Sequence, residues 1–110
     1  MADLLILEFE GFGEETYAQV NADLGIDMQS GEGDWPAGLV THTAGPIEGG
    51  WIVIEVWETQ EDQDEFMTSR LGPALHKAGV TGRPKRAEWS KAKAHHHPRK
   101  ASAKGKQPAS

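Results

Sequence analysis

At 110 residues the chain is one small domain, and its 37% hydrophobic content supports a packed core of modest size. The absence of cysteine excludes disulfide scaffolds, thiolate metal sites and cysteine nucleophiles. The net charge of −6 hides two opposed segments: residues 1–82 carry 16 acidic against two basic side chains (net −14), and residues 83–110 carry nine basic against one acidic (net +8).

The first element expected is a strand over Leu4–Phe9. Glu14–Leu24 follows as a helix, with Tyr17, Val20 and Leu24 at helical spacing, acids in the first turn and Gly25 as its stop. A Gly/Asp/Pro-rich loop over Gly31–Gly38 comes next. It has no lysine and its acids repel phosphate, so it is no phosphate loop. Trp35 inside it is an aromatic suited to a lid or a dimer contact.

Leu39–Ala44 reads as a shorter, more polar strand, and Pro46 with Gly49-Gly50 as a turn into a strand over Trp51–Trp57. In that strand Ile52, Ile54 and Val56 point one way, and Trp51, Val53, Glu55 and Trp57 the other. Both sides are largely apolar, which places it in the middle of a sheet. Thr59 with Asp62 resembles a capping box opening a second helix that carries Phe66, Arg70 and Leu71 on one side. Gly72-Pro73 is expected to interrupt it, with a short continuation to Gly79. Arg86–Ala94 suits strand or helix; strand is chosen because it completes two strand-helix-strand units.

The order β-α-β-β-α-β is that of an α+β, ferredoxin-like fold with an antiparallel sheet. Its first and third strands are central, and here they are the most apolar; lysines on the fourth suit an edge. Two helices cover one face only, so the other face is expected to meet a second copy of the chain. The domain is expected over residues 1–95. Residues 96–110, which have almost nothing to bury, are expected to form a basic disordered tail. Phosphate contacts through that tail would make nucleic acid or another polyanion a partner, although no aromatic interleaves its lysines to stack on bases. The aliphatic runs are too short to span a bilayer, and Met1-Ala2-Asp3 lacks the basic region of a secretory leader; the expectation is a cytoplasmic protein without membrane contact.

Gly38-Leu-Val-Thr-His-Thr-Ala-Gly-Pro46, Gly50-Trp-Ile-Val-Ile-Glu-Val-Trp-Glu58 and Arg70-Leu-Gly-Pro-Ala-Leu75 resemble the dimeric α/β-barrel superfamily, and within it small actinobacterial proteins similar to antibiotic biosynthesis monooxygenases. The resemblance covers about residues 3–94. It implies a homodimeric barrel and a cofactor-free monooxygenase: an apolar pocket that binds a small apolar or aromatic ligand, deprotonates it, excludes water and admits oxygen. Many such enzymes have a histidine early in the second helix, where this chain has Phe66.

The haem-degrading branch of the same superfamily implies an alternative, with a tryptophan at the end of the third strand and an iron-ligating histidine nineteen residues later. Trp57 and His76 have that spacing, but Leu4–Glu10 lacks the asparagine that completes the set. Haem is therefore the alternative to no cofactor.

Candidate ligand-binding residues are Tyr17, Asn21, Trp35, Trp51, Phe66 and Arg70; Tyr17 and Asn21, four apart, share a helix side. Candidate catalytic residues are His42, Trp57 and His76. His42 is the first choice as general base, because an ordinary histidine titrates near neutral pH. Each has a plainer role: Trp51 and Trp57 as core or dimer contacts, His76 favouring a helix C-terminus, and Arg70 pairing with Glu14, Glu15 or Asp64. The run His95–His97 lacks the fixed geometry of a metal site, and no metal is expected.

Overall fold

The first strand alternates cleanly. In β1 (Asp3–Glu10) Leu5, Leu7 and Phe9 are buried on one face, while Leu4, Ile6 and Glu8 are half-buried on the other. The structure, a computed structural model, describes residues 2–96. The expected tail lies outside the described residues from position 97 onward.

Helix α1 (Glu14–Leu24) has the expected bounds. Glu14 and Glu15 face the positive end of its dipole, and Gly25 closes it at φ 80, the left-handed conformation that costs glycine least. Strand β2 (Leu39–Ile47) extends through Pro46, which was expected in the turn. Proline is tolerated there because β2 is an edge strand, where an outward N–H needs no ladder partner. β3 (Gly50–Trp57) and β4 (Arg86–Lys91) complete an antiparallel sheet in the order β2-β3-β1-β4. The two apolar strands are thus central, as in a ferredoxin-like fold.

The second helical stretch runs without the interruption expected at Gly72-Pro73. Thr59 caps α2 (Gln60–Phe66), its Oγ1 accepting from the Asp62 N–H at 3.1 Å. A π-helical turn over Met67–Leu71 then leads directly into α3 (Gly72–Lys77). The widened turn lets the Gly72 N–H bond the Met67 carbonyl five residues back, and Pro73, at the start of α3, needs no donor of its own. Only glycine fits at this junction: a Cβ on Gly72 would lie 2.8 Å from the Met67 oxygen.

Both helices cover one face of the sheet. Between them lie Leu5, Leu7, Phe9, Val20, Leu24, Val53, Trp57 and Phe66, the centre of the core. The opposite face presents Leu4, Ile6, Ile52 and Ile54, with Ile54 37% exposed; Val56, in the same file, is itself buried. Along its margin Arg86 pairs with Glu8 (3.0 Å) and with Glu88.

Candidate active site

A β-bulge at the start of β2 sets the site. Leu39 pairs with Trp57 and Thr41 with Val56, so Val40 is an extra residue in the strand. The shift puts Leu39 and His42 on the same, helix-facing side, and His42 falls opposite Glu55. On β3, Glu55 stands in the inward file with Trp51, Val53 and Trp57 and is itself buried. A carboxylate in such a position needs donors, and it has two.

His42 Nδ1 lies 2.7 Å from Glu55 Oε2, and Trp57 Nε1 donates to Glu55 Oε1 at 2.9 Å. In the neutral imidazole, donation to an ionised Glu55 carboxylate puts the proton on Nδ1 and leaves the lone pair on Nε2. That lone pair accepts a hydrogen bond from the Tyr17 hydroxyl, delivered by α1. Side-chain exposures of 17% for His42 and 8% for Glu55 leave this chain of bonds little access to water. Glu55 orients a histidine whose far nitrogen is basic, the arrangement found in triads. Glu55 was not among the expected site residues. Its one signal was an acid in an otherwise apolar inward file.

Burial pushes the Tyr17 phenol above its ordinary value of 10.0; the Asn21 side chain opposes this, and the Glu55 charge adds to it. Tyr17 is therefore a hydrogen-bond donor at neutral pH. The folded state keeps the phenol proton after the unfolded chain has released it, so folding stability should fall as pH rises above about 10. The difference in urea midpoint between wild type and Tyr17→Phe should stay constant up to that pH and shift against the wild type above it.

Two hollows meet at this histidine. The inner one, between sheet and helices, has a volume of ≈ 50 Å³; its lining includes Tyr17, Asn21, Trp35, His42 and Phe66 among mostly aliphatic side chains, with no lysine or arginine. The outer one is a groove of ≈ 380 Å³ along the β2 edge, lined by Trp35, Leu39, Val40, Thr41 and His42. Trp35, Leu39 and His42 belong to both and stand between them. Trp35 is 37% exposed, its ring centroid lies 5.5 Å from that of His42, and its Nε1 donates to the Gly31 carbonyl at 2.8 Å.

The other candidates lie elsewhere. Trp51 packs against Phe12 and Tyr17, with ring centroids 6.5 and 5.0 Å away, and is not part of the inner lining. Trp57 is fully buried (0%) against Phe66 and acts on the site through Glu55. Arg70 does not pair with Glu14, Glu15 or Asp64. Its Nη2 donates to the carbonyls of Leu24 (2.9 Å) and Asp34 (2.7 Å), lies 3.4 Å from the Asp34 carboxylate, and so ties down the loop that carries Trp35. The π-turn aims it there, across the Phe66 ring.

His76 is exposed on α3, outside the inner lining, while Trp57 is wholly enclosed. With the proposed ligand on the surface and a hollow of ≈ 50 Å³, these residues do not fit haem. Among the described residues no three His, Asp or Glu side chains group as a metal site, and no helix is long and apolar enough to cross a membrane.

No protein-family model matches the chain, and no curated protein matches it in sequence. Solved structures do match. A protein of Chloroflexus aurantiacus described as an antibiotic biosynthesis monooxygenase superposes with a TM-score of 0.61 at 13% identity, over 88% of this chain and 98% of that one. The protein YJCS matches with a TM-score of 0.58 at 11% identity, over 83% and 98%. SnoaB, a cofactor-independent oxygenase from Streptomyces nogalater, matches with a TM-score of 0.56 at 12% identity, over 86% and 95%. Across almost the full length of these structures, the chain has the ferredoxin-like α+β fold of antibiotic biosynthesis monooxygenase-like proteins.

Proposed function

We propose that the chain is a cofactor-independent oxygenase that acts as a homodimer on a neutral phenol. The observation that carries this is the bonded series Tyr17–His42–Glu55, whose histidine also lines a groove with no cation in its lining. The fold shared with SnoaB, itself a cofactor-independent oxygenase, supports it. An inner volume of ≈ 50 Å³ falls well short of the ~300 Å³ at which ligand pockets begin, whereas the outer groove of ≈ 380 Å³ reaches it. The aromatic ligand is therefore assigned to the groove beside Trp35 rather than to the space between sheet and helices.

A ligand hydroxyl that takes the place of Tyr17 at Nε2 gives its proton to the imidazole. Glu55 balances the imidazolium charge and, through Nδ1, has already selected the basic tautomer. The electron-rich ring then reacts with dioxygen: one oxygen atom joins the ring, the other leaves as water, and the ring supplies all four electrons. For 1-naphthol the products are 1,4-naphthoquinone and water.

The test uses the full chain with 1-naphthol in an oxygen electrode. One dioxygen should be consumed per quinone formed, and His42→Gln should lower kcat by roughly 10²-fold or more without unfolding the protein. Turnover indifferent to His42, or no turnover of 1-naphthol or of the tricyclic 1-anthrol, would sink this reading.

The net +8 of residues 83–110 favours a second role for that segment, polyanion binding beside a domain at 1–95. Retention of DNA by the full chain but not by a chain ending at residue 95, steeply weakened by salt, would establish it.

A further inference from the structure

We propose that the inner cavity is a dioxygen pocket, separated by Trp35 and His42 from the groove that seats the organic ligand. The proposal rests on the oxygenase reading above and adds to it a place for the second substrate. Its size points that way. A volume of ≈ 50 Å³ exceeds the ~10–15 Å³ that one water-sized molecule needs and is too small for an aromatic ring system.

The polarity of the cavity points the same way. Val20 of α1, Val53 of β3, Leu71 of the π-turn and Leu75 of α3 contribute aliphatic walls. Tyr17, Asn21, His42 and Glu55 also line it, and three of these are joined to one another: the Tyr17 hydroxyl to His42, and His42 to Glu55. A bound water needs two to four polar partners, and few are left to offer. Apolar cavities of this kind stay dry and take up apolar gases, and dioxygen partitions from water into apolar surroundings. His42 lines both hollows, so a ring deprotonated in the groove lies one side chain away from the gas.

Xenon, an apolar gas of comparable size, is the probe. Crystals of the full chain pressurised with xenon should show one atom among Val20, Val53, Leu71 and Leu75, and none in the groove. Leu71→Phe, and the milder Val20→Ile, narrow the cavity without touching the base; both should reduce xenon occupancy. With 1-naphthol they should raise the KM for dioxygen roughly threefold or more while leaving the KM for the naphthol unchanged. Ordered water filling the cavity in place of xenon would overturn the proposal, as would an unchanged dioxygen KM in a variant that has lost xenon. If 1-naphthol is not turned over, the oxygenase reading fails on its own, and xenon occupancy still decides whether the gas pocket exists.

Discussion

Glu55→Leu is expected to cost about 2–4 kcal/mol of folding stability, the largest loss for a single substitution in the site. Leucine fits the inward file of β3, so the cost does not come from packing. It comes from the two donors left behind: His42 Nδ1–H and Trp57 Nε1–H would both lose their acceptor in surroundings that water barely reaches. Glu55→Gln keeps one carbonyl oxygen for one of those donors and should cost about half as much. Trp57→Phe removes a single neutral donor while keeping an aromatic ring, and should cost about 1–2 kcal/mol. Urea denaturation read by circular dichroism orders the three. A Glu55→Leu midpoint equal to wild type would mean that the buried carboxylate is not held as described. Activity separates positioning from stability: under native conditions Glu55→Gln should lower kcat on 1-naphthol far more than Trp57→Phe does, because only the former disturbs the histidine tautomer.

The second large effect is expected on the uncovered face of the sheet. If Leu4, Ile6, Ile52 and Ile54 meet the same residues of a second copy, a lysine at position 54 sets two like charges into the middle of an apolar contact. Ile54→Lys should weaken association by at least about 3 kcal/mol, roughly 10²-fold in Kd. Sedimentation velocity should then show a dimer for wild type and a monomer for the variant at micromolar concentration. Met28→Lys is the control. Met28 is 42% exposed but lies in the α1–β2 connection, away from this face, so its charge should leave the assembly intact. A wild-type monomer, or a dimer indifferent to Ile54→Lys, would remove the face from consideration as an interface.

The bounds of α1, the Thr59 cap and the two faces of β3 were legible because each depends on local chemistry: helical spacing, an acid-rich first turn, a glycine stop, and the period of two along a strand. The same local rules misread Gly72-Pro73. Proline rules out an ordinary α-helical bond, and nothing near it in the chain announces that a π-turn will accommodate it. Pro46 was misplaced for a related reason. Whether a proline can sit in a strand depends on whether that strand is an edge, which is a property of the sheet.

Of the residues lining the inner hollow, the sequence by itself named Tyr17, Asn21, Trp35, His42 and Phe66; Trp51, Trp57, Arg70 and His76, named with them, are not in that lining. The sequence determined the order of elements, the apolar central strands and the division of charge along the chain, since all three are written in composition and periodicity. Only the tertiary structure decided which residues meet. The bulge at Val40 turns His42 inward and sets it opposite Glu55, thirteen positions away in sequence. Sheet packing makes Trp57 a donor to that carboxylate, and Arg70 turns from the nearby acids to carbonyls on the Trp35 loop. Hydrogen bonds and packing contacts between distant segments depend on strand register and on distances of a few tenths of an ångström, and these are set by the folded sheet as a whole.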